Sequence, residues 1–400
     1  MSVERSVRAV SAPDNPPHVW LFALKAAAVL AAAMGLGRFA YTPILPLMES
    51  QTALTAQSAS LVATANYLGY LVGAVIGMLV PRWGRVRRTL QAGGLLLIAS
   101  MLLMPLAERT ELWLALRFAA GAGSAAIFIV AGNVVLTTLA RRDRRTVGWA
   151  YGGIGVGIAA SGLLVAAVTS VGDWRAAWIA SGLATAALIL VGWDLGPRGG
   201  TAAKRRARPA ERRRRRLPAG LLIFSYFLEG AGYIILGTFL VAVVGSTQAE
   251  LSGGGVWTLA GLAAIPSVVL WTWMSRHASR PALLTCALLL QALASILPVV
   301  SASSWAAVLA AVLFGGTFVG IVTLTLAAAA DLGVPGGVAT LTAAYSVGQV
   351  LGPLIVVPVL GGGYGPALVL GAAVLLLAAA CTAVLTVRKS PPLSESRAPA

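Results

Sequence analysis

The sequence predicts an all-α integral membrane protein, with twelve transmembrane helices arranged as two six-helix pseudo-repeats. Three observations carry that prediction. Of the 400 residues, 58% are hydrophobic and only 11% charged, against about 25% charged in an ordinary soluble domain. The apolar residues gather into twelve runs close to the roughly 20 residues that cross a hydrocarbon core as a helix. The basic residues, which leave a formal net charge of +17, sit in every second loop between those runs. That pattern is a topology signal rather than a nucleic-acid surface.

Residues 1–18 are polar, carry Arg5, Arg8 and three prolines, and are expected to be a disordered cytoplasmic segment. The first apolar run, 19–48, is too long for a signal-peptide core. The remaining spans are expected near 57–80, 88–107, 111–140, 147–170, 174–194, 218–244, 250–274, 281–300, 304–330, 337–360 and 364–387. They divide the chain into a six-helix bundle at 19–197, a basic linker at 198–217, a second six-helix bundle at 218–388 and a short tail at 389–400.

Orientation follows from charge. Arg82, Arg85, Arg87 and Arg88 follow the second span, Arg141, Arg142, Arg144 and Arg145 the fourth, and the linker with Arg212 to Arg216 the sixth. Arg276 and Arg280 follow the eighth, and Arg388, Lys389 and Arg397 lie in the tail. The alternate loops hold Glu49, Glu108, Glu111, Asp173 and Glu250, with only Arg109 and Arg175 as basic residues. Loops rich in arginine stay inside, so twelve spans with both termini cytoplasmic satisfy the alternation. The basic loops would meet anionic lipid.

An internal repeat supports two halves. Gly35-Leu-Gly37-Arg38 in the first span aligns with Gly230-Ala-Gly232-Tyr233 in the seventh, and Leu116-Arg117-Phe118 in the fourth with Val312-Leu313-Phe314 in the tenth. Both alignments pair spans six apart. Repeats of this kind place a solute site near the midplane, between the halves.

The loop after the second span reads Gly77-Met-Leu-Val-Pro81-Arg82-Trp83-Gly84-Arg85. Gly77 allows close helix contact, Gly84 a tight turn, and Arg82 and Arg85 can hold neighbouring helix ends. This run resembles the loop signature of the major facilitator superfamily, from which it departs at Pro81, where that family usually has aspartate. The fourth span opens on Arg117 followed by Gly121 and Gly123, similar to the superfamily's fourth-span signature. The resemblance implies a role for Arg117 in coupling or in the conformational cycle; the plainer reading is an arginine snorkelling near a span end. In the fifth span, Gly152, Gly153, Gly155 and Gly157 lack the proline that superfamily antiporters often carry, which leaves the direction of transport open, with efflux slightly favoured.

The most distinctive stretch is Gly35-Leu-Gly37-Arg38-Phe39-Ala40-Tyr41-Thr42-Pro43 in the first span. With Asn66-Tyr67-Leu68-Gly69-Tyr70 in the second and Leu228-Glu229-Gly230 in the seventh, it is similar to the YbfB/YjiJ family of bacterial major facilitator transporters. That resemblance implies an alternating-access carrier and no settled substrate.

Arg38 and Glu229 carry the site expectation. A charge in mid-span costs about 2.5–3.5 kcal/mol on insertion scales, so such residues face a cavity or one another. Tyr41, Tyr67 and Tyr233 are expected to line the same region. The solute that Arg38 would bind is anionic or zwitterionic, because a guanidinium forks onto an acid group; the plainer reading is a structural tie between Arg38 and Glu229. A carboxyl in mid-span is also the group able to load and release a proton.

The sequence therefore reads as a proton-coupled secondary transporter of a small organic solute in the cytoplasmic (inner) membrane, acting as a monomer. The competing readings are a membrane-embedded enzyme or a sensor on a transporter-like scaffold. No enzyme constellation is evident: His18 and His277 lie at interfaces, Cys286 and Cys381 are isolated in apolar runs, and no phosphate-binding loop occurs. No metal, cofactor or nucleic acid is expected.

Overall fold

The computed structural model describes residues 18–80, 82–83, 86–106, 108–135, 139, 144–169, 172–196, 216–245, 253–334 and 337–387. Every regular element among them is helical. Twelve helices are long and apolar enough to cross a membrane: α1 (Val19–Gln51), α2 (Ala56–Leu79), α3 (Arg87–Leu106), α4 (Thr110–Val134), α5 (Thr146–Val168) and α6 (Trp174–Val191), then α7 (Leu217–Gly245), α8 (Gly253–Met274), α9 (Arg280–Val300), α10 (Ser304–Leu332), α11 (Thr340–Gly362) and α12 (Tyr364–Thr386). Large apolar side chains such as Leu79, Leu163, Leu190 and Val300 are more than 60% exposed on their outer faces. A soluble protein seldom leaves such a belt open to water; here it faces lipid.

Local chemistry sets several ends. Thr55 and Ser58 form a capping box at the start of α2, the Thr55 hydroxyl accepting from Ser58 N at 3.2 Å and the Ser58 hydroxyl from Thr55 N at 2.9 Å. Asp173 caps α6 by accepting from Ala176 N at 3.0 Å. Gly333 closes α10 at φ 63°, a left-handed conformation that glycine adopts without a side-chain clash. The sequence places the end of the sixth span at 194, but the helix stops at Val191 and Gly192 begins a turn. It places the end of the first span at 48, whereas the helix runs to Gln51, where the Thr52 hydroxyl and N–H both bond Met48 O. The expected extension of the fourth span to 140 falls largely outside the described residues, as does the linker at 198–217 except for Arg216 and Leu217, which already belong to a helix.

Contacts between helices repeat with a shift of six. Within the first six, α2 packs on α4, α3 on α4, α1 on α5 and α3 on α6; within the last six, α8 packs on α10, α9 on α10, α7 on α11 and α9 on α12. Across the two sets, α2 meets α11 and α5 meets α8, a pair of contacts that exchange under the same shift, while α1 meets α7 at the centre. That is the contact pattern of two related bundles about a two-fold axis. Among the described residues the α5–α8 contact is one of the most extensive, on a par with that of α1 on α5. Glycines permit the α5–α8 approach: a Cβ on Gly162 would lie 2.6 Å from Gly254 O, and one on Gly155 2.8 Å from Gly261 O.

Candidate functional site

The site begins with a flaw in α1. Residues Ala31–Leu36 form a π-turn, followed by the short helical turn Gly37–Phe39 and a break at Ala40. Pro43 and Pro46 lack the N–H groups that would continue the ladder. Carbonyls loosened by such a break need other donors, and α4 supplies them. Ser124 donates to Ala33 O at 2.9 Å, and the Arg117 guanidinium donates to Gly37 O at 3.0 Å and Arg38 O at 2.9 Å. Arg117 is 1% exposed, so it does not snorkel to an interface. Its charge lies over the rings of Tyr41 and Trp178, each 5.5 Å away.

The turn held by Arg117 presents Arg38, itself 2% exposed. Arg38 Nη2 donates to Gln349 Oε1 of α11 at 2.6 Å, and Gln349 Nε2 donates to the Tyr233 hydroxyl of α7 at 3.2 Å. The guanidinium lies 4.3 Å from the ring centre of Tyr70 and 5.2 Å from that of Tyr67, both on α2. The Thr238 hydroxyl donates to Ile234 O at 2.6 Å, so in its 3.0 Å bond with Tyr67 the phenol is the donor. One polar chain thus crosses both halves through α1, α2, α7 and α11.

Glu229 lies elsewhere. The Thr42 hydroxyl donates to Gly237 O at 2.8 Å, which fixes the register of α1 on α7. Counting back one turn places Arg38 level with Tyr233; a second turn places Met34 level with Glu229. Arg38 is therefore about 6 Å further along than Glu229, at 1.5 Å per residue, and it bonds Gln349 instead. Glu229 is fully buried, and neither carboxyl oxygen has a hydrogen-bond partner. No cation comes within ion-pair distance of it among the described residues. Close packing seals it: a Cβ on Gly348 of α11 would sit 3.0 Å from Ala231 N of α7. Tyr233 lies one turn along α7 from it, and Gly230, next to it in the chain, packs against Tyr345 of α11.

Of the residues singled out in the sequence, Arg38, Tyr67 and Tyr233 share this cluster. Arg117 supports it from behind, and Tyr41 turns away to donate to Ala59 O at 3.0 Å. Gly77 packs on Ile129 of α4, about 15 Å along α2 from Tyr67 at 1.5 Å per residue. Arg82 is exposed beyond it. Gly84 and Arg85 lie outside the described residues. Residues that sequence reasoning missed complete the cluster: Gln349, Tyr345, Phe314, Phe318 and Trp257. Gln349 carried a signal, as an amide inside an apolar span; the aromatic residues read as ordinary core. Among the described residues no three of His, Cys, Asp and Glu come together to hold a metal ion.

Twelve membrane helices in two related bundles, with a buried polar cluster shared between the bundles, fit a multi-pass membrane transporter. The chain belongs to the major facilitator family described as Uncharacterised MFS-type transporter YbfB, which matches residues 30–383. No curated protein matches the sequence. Among solved structures, the nucleoside transporter NupG aligns with a TM-score of 0.71 at 11% identity, over 92% of this chain and all of that one. A mutant form of NupG aligns with a TM-score of 0.73 at 10% identity, over 92% of this chain and 99% of that one. Identities this low carry the fold alone. The family and these fold neighbours are transporters, not enzymes.

Proposed function

We propose that the chain is a proton-coupled secondary transporter of a small anionic or zwitterionic solute, working by alternating access with efflux slightly favoured. The alternation of basic loops supports a place in the cytoplasmic membrane with both termini inside and anionic lipid against the basic loops; the working unit in this proposal is a monomer. The observation that carries the reading is that two buried charged residues, Glu229 of α7 and Arg38 of α1, lie about one turn apart along the contact between those helices. Glu229 is buried without a partner, one turn from Tyr233, and Tyr233 is joined to Arg38 by Gln349. An ionised carboxylate without a counter-ion costs on the order of several kcal/mol in an apolar interior, and a bound proton removes that cost. When the halves rock and Glu229 meets water, the proton leaves. Arg38, one turn away, engages the solute's acid group through the same α7 face, which couples the two events. NupG carries nucleosides by its name; the shared fold does not bring that solute to this chain.

The test is Glu229→Gln in proteoliposomes. The variant should lose transport driven by a pH gradient by at least tenfold and keep solute exchange across equal pH. Normal gradient-driven transport in Glu229→Gln would remove this residue from the coupling step.

A further inference from the structure

The polar cluster is walled by rings that share one orientation. Tyr233 lies within 10° of Phe314 and 9° of Phe318, and those two lie within 14° of each other. Tyr345 continues the set at 16° from Tyr233 and 5.5 Å between centres. Aromatic pairs in a packed interior take tilted and edge-on geometries as readily as parallel ones. Four rings from α7, α10 and α11 in one orientation make flat parallel faces, a shape suited to a planar guest.

The wall joins Arg38 on both sides. On one side Tyr233 bonds Gln349, which accepts from Arg38. On the other, Phe318 packs edge-on against Phe39 at 6.5 Å, and the Arg38 guanidinium lies 5.8 Å from the Phe39 ring. Trp257 of α8 closes the circuit, 6.0 Å from Phe39 and 5.9 Å from Phe314. Two donors on this circuit are fully buried without a hydrogen-bond acceptor, Trp257 Nε1 and Arg38 Nε. Buried donors left unpaired are costly. Both groups can only donate, so what completes them is an acceptor, and a carboxylate suits the guanidinium fork best.

We infer that the solute is a planar aromatic acid, its ring lying against the faces of Tyr233, Phe314 and Phe318 and its carboxylate held by Arg38, with Trp257 donating to a second acceptor. This rests on the reading of Arg38 as the site for the solute's acid group and adds the chemistry of the remainder. Tyr233, Phe314 and Phe318 are buried in this arrangement and Tyr345 is half-buried, so the solute reaches the wall as the halves part.

The experiment compares acids matched in charge and size. The full-length protein in nanodiscs is titrated with benzoate and 2-naphthoate, with their saturated counterparts cyclohexanecarboxylate and decalin-2-carboxylate, and with uncharged benzamide. Aromatic acids should bind about tenfold more tightly than the saturated ones, the gain of one to two ring contacts. Benzamide should bind weakly. Phe318→Leu, which removes the ring and keeps the site apolar, should erase the aromatic preference by lowering aromatic acids to the affinity of the saturated ones, and Arg38→Lys should weaken both kinds of acid. Thermal unfolding checks that each variant is folded. Equal affinity for aromatic and saturated acids would overturn the aromatic inference and leave the anionic reading standing. Absence of binding by any acid would overturn both.

Discussion

Removing Arg117 tests whether α4 holds the Arg38 turn in place. The perturbation is Arg117→Met, which keeps an unbranched apolar stem and deletes both donors. Each bond from a charged donor is worth about 1.5–3 kcal/mol net, so the loss at Gly37 O and Arg38 O is about 3–6 kcal/mol. Relief of the buried guanidinium's desolvation offsets several kcal/mol of that, leaving a modest net loss. Stability alone therefore says little; coupling says more. If Arg117 fixes the 37–39 turn, releasing it also disturbs the 2.6 Å Arg38–Gln349 bond, itself worth about 1.5–3 kcal/mol. Gln349→Ala in the Arg117→Met background should then cost less than in the native chain, with a coupling of about 1 kcal/mol or more. Arg117 and Gln349 both touch Arg38 and need not touch each other for this to hold. The assay is reversible unfolding of the four proteins of the cycle in one detergent. Additivity within about 0.5 kcal/mol would refute the claim that α4 positions Arg38.

Two further outcomes follow from features away from the cluster. Gly162→Val puts a side chain against Gly254 O and Thr258 N, each 2.6 Å from a Cβ at that position, and should cut transport more than tenfold at a cost of about 1–3 kcal/mol. Gly148→Ala, whose Cβ meets only Val269 at 3.5 Å, should be neutral, and equal damage from both would discount the α5–α8 contact. On the chain beyond α6, the hydrogen bond from Lys25 at 2.6 Å holds the Asp194 carboxyl below its usual range, with the charge of Lys25 adding to it. A depressed carboxyl contributes stability above its unfolded value and loses it as pH falls through its folded one. Asp194 is more than half exposed, so Asp194→Asn should lower stability at neutral pH by no more than about 1 kcal/mol. The difference should shrink as pH falls through and below the usual carboxylate range, and a difference that persisted once the carboxyl is protonated in the folded protein would place its origin outside the ion pair.

How far the sequence could be read depended on the range of the interaction. Span count and the six-plus-six relation were legible because they rest on runs of about 20 apolar residues and on repeats such as Gly35-Leu-Gly37 with Gly230-Ala-Gly232. Span ends were less so: Gly192 ends α6 through a local turn that hydropathy does not register. Arg38 and Glu229 stood out as charges in apolar runs, and the span alignment placed them one turn apart, the register that the Thr42–Gly237 bond displays. The partner of Arg38 was not legible. Gln349 lies 311 positions away, and nothing local distinguishes it from an amide lodged in the core. The parallel rings were hidden for a related reason, since orientation is a property of the packed helices and not of Phe314 or Phe318 taken singly.

The π-turn at Ala31–Leu36 bears on how this chain tolerates insertions and deletions. Each residue of an α-helix advances the face by about 100°, and a single π-turn accommodates one residue beyond the α-helical count. Deleting one alanine from the Ala31–Ala33 run would let α1 wind regularly and would keep Arg38 nearly in phase with the stretch before it, because the π-turn already absorbs one extra residue. Inserting one more residue there would instead turn Arg38 by about a quarter circle. Arg38 would then leave Gln349, or the first half of α1 would leave Gly153 and Gly157 of α5, against which Ala27 and Ala31 are packed. The run therefore tolerates the loss of a residue and not the gain of one.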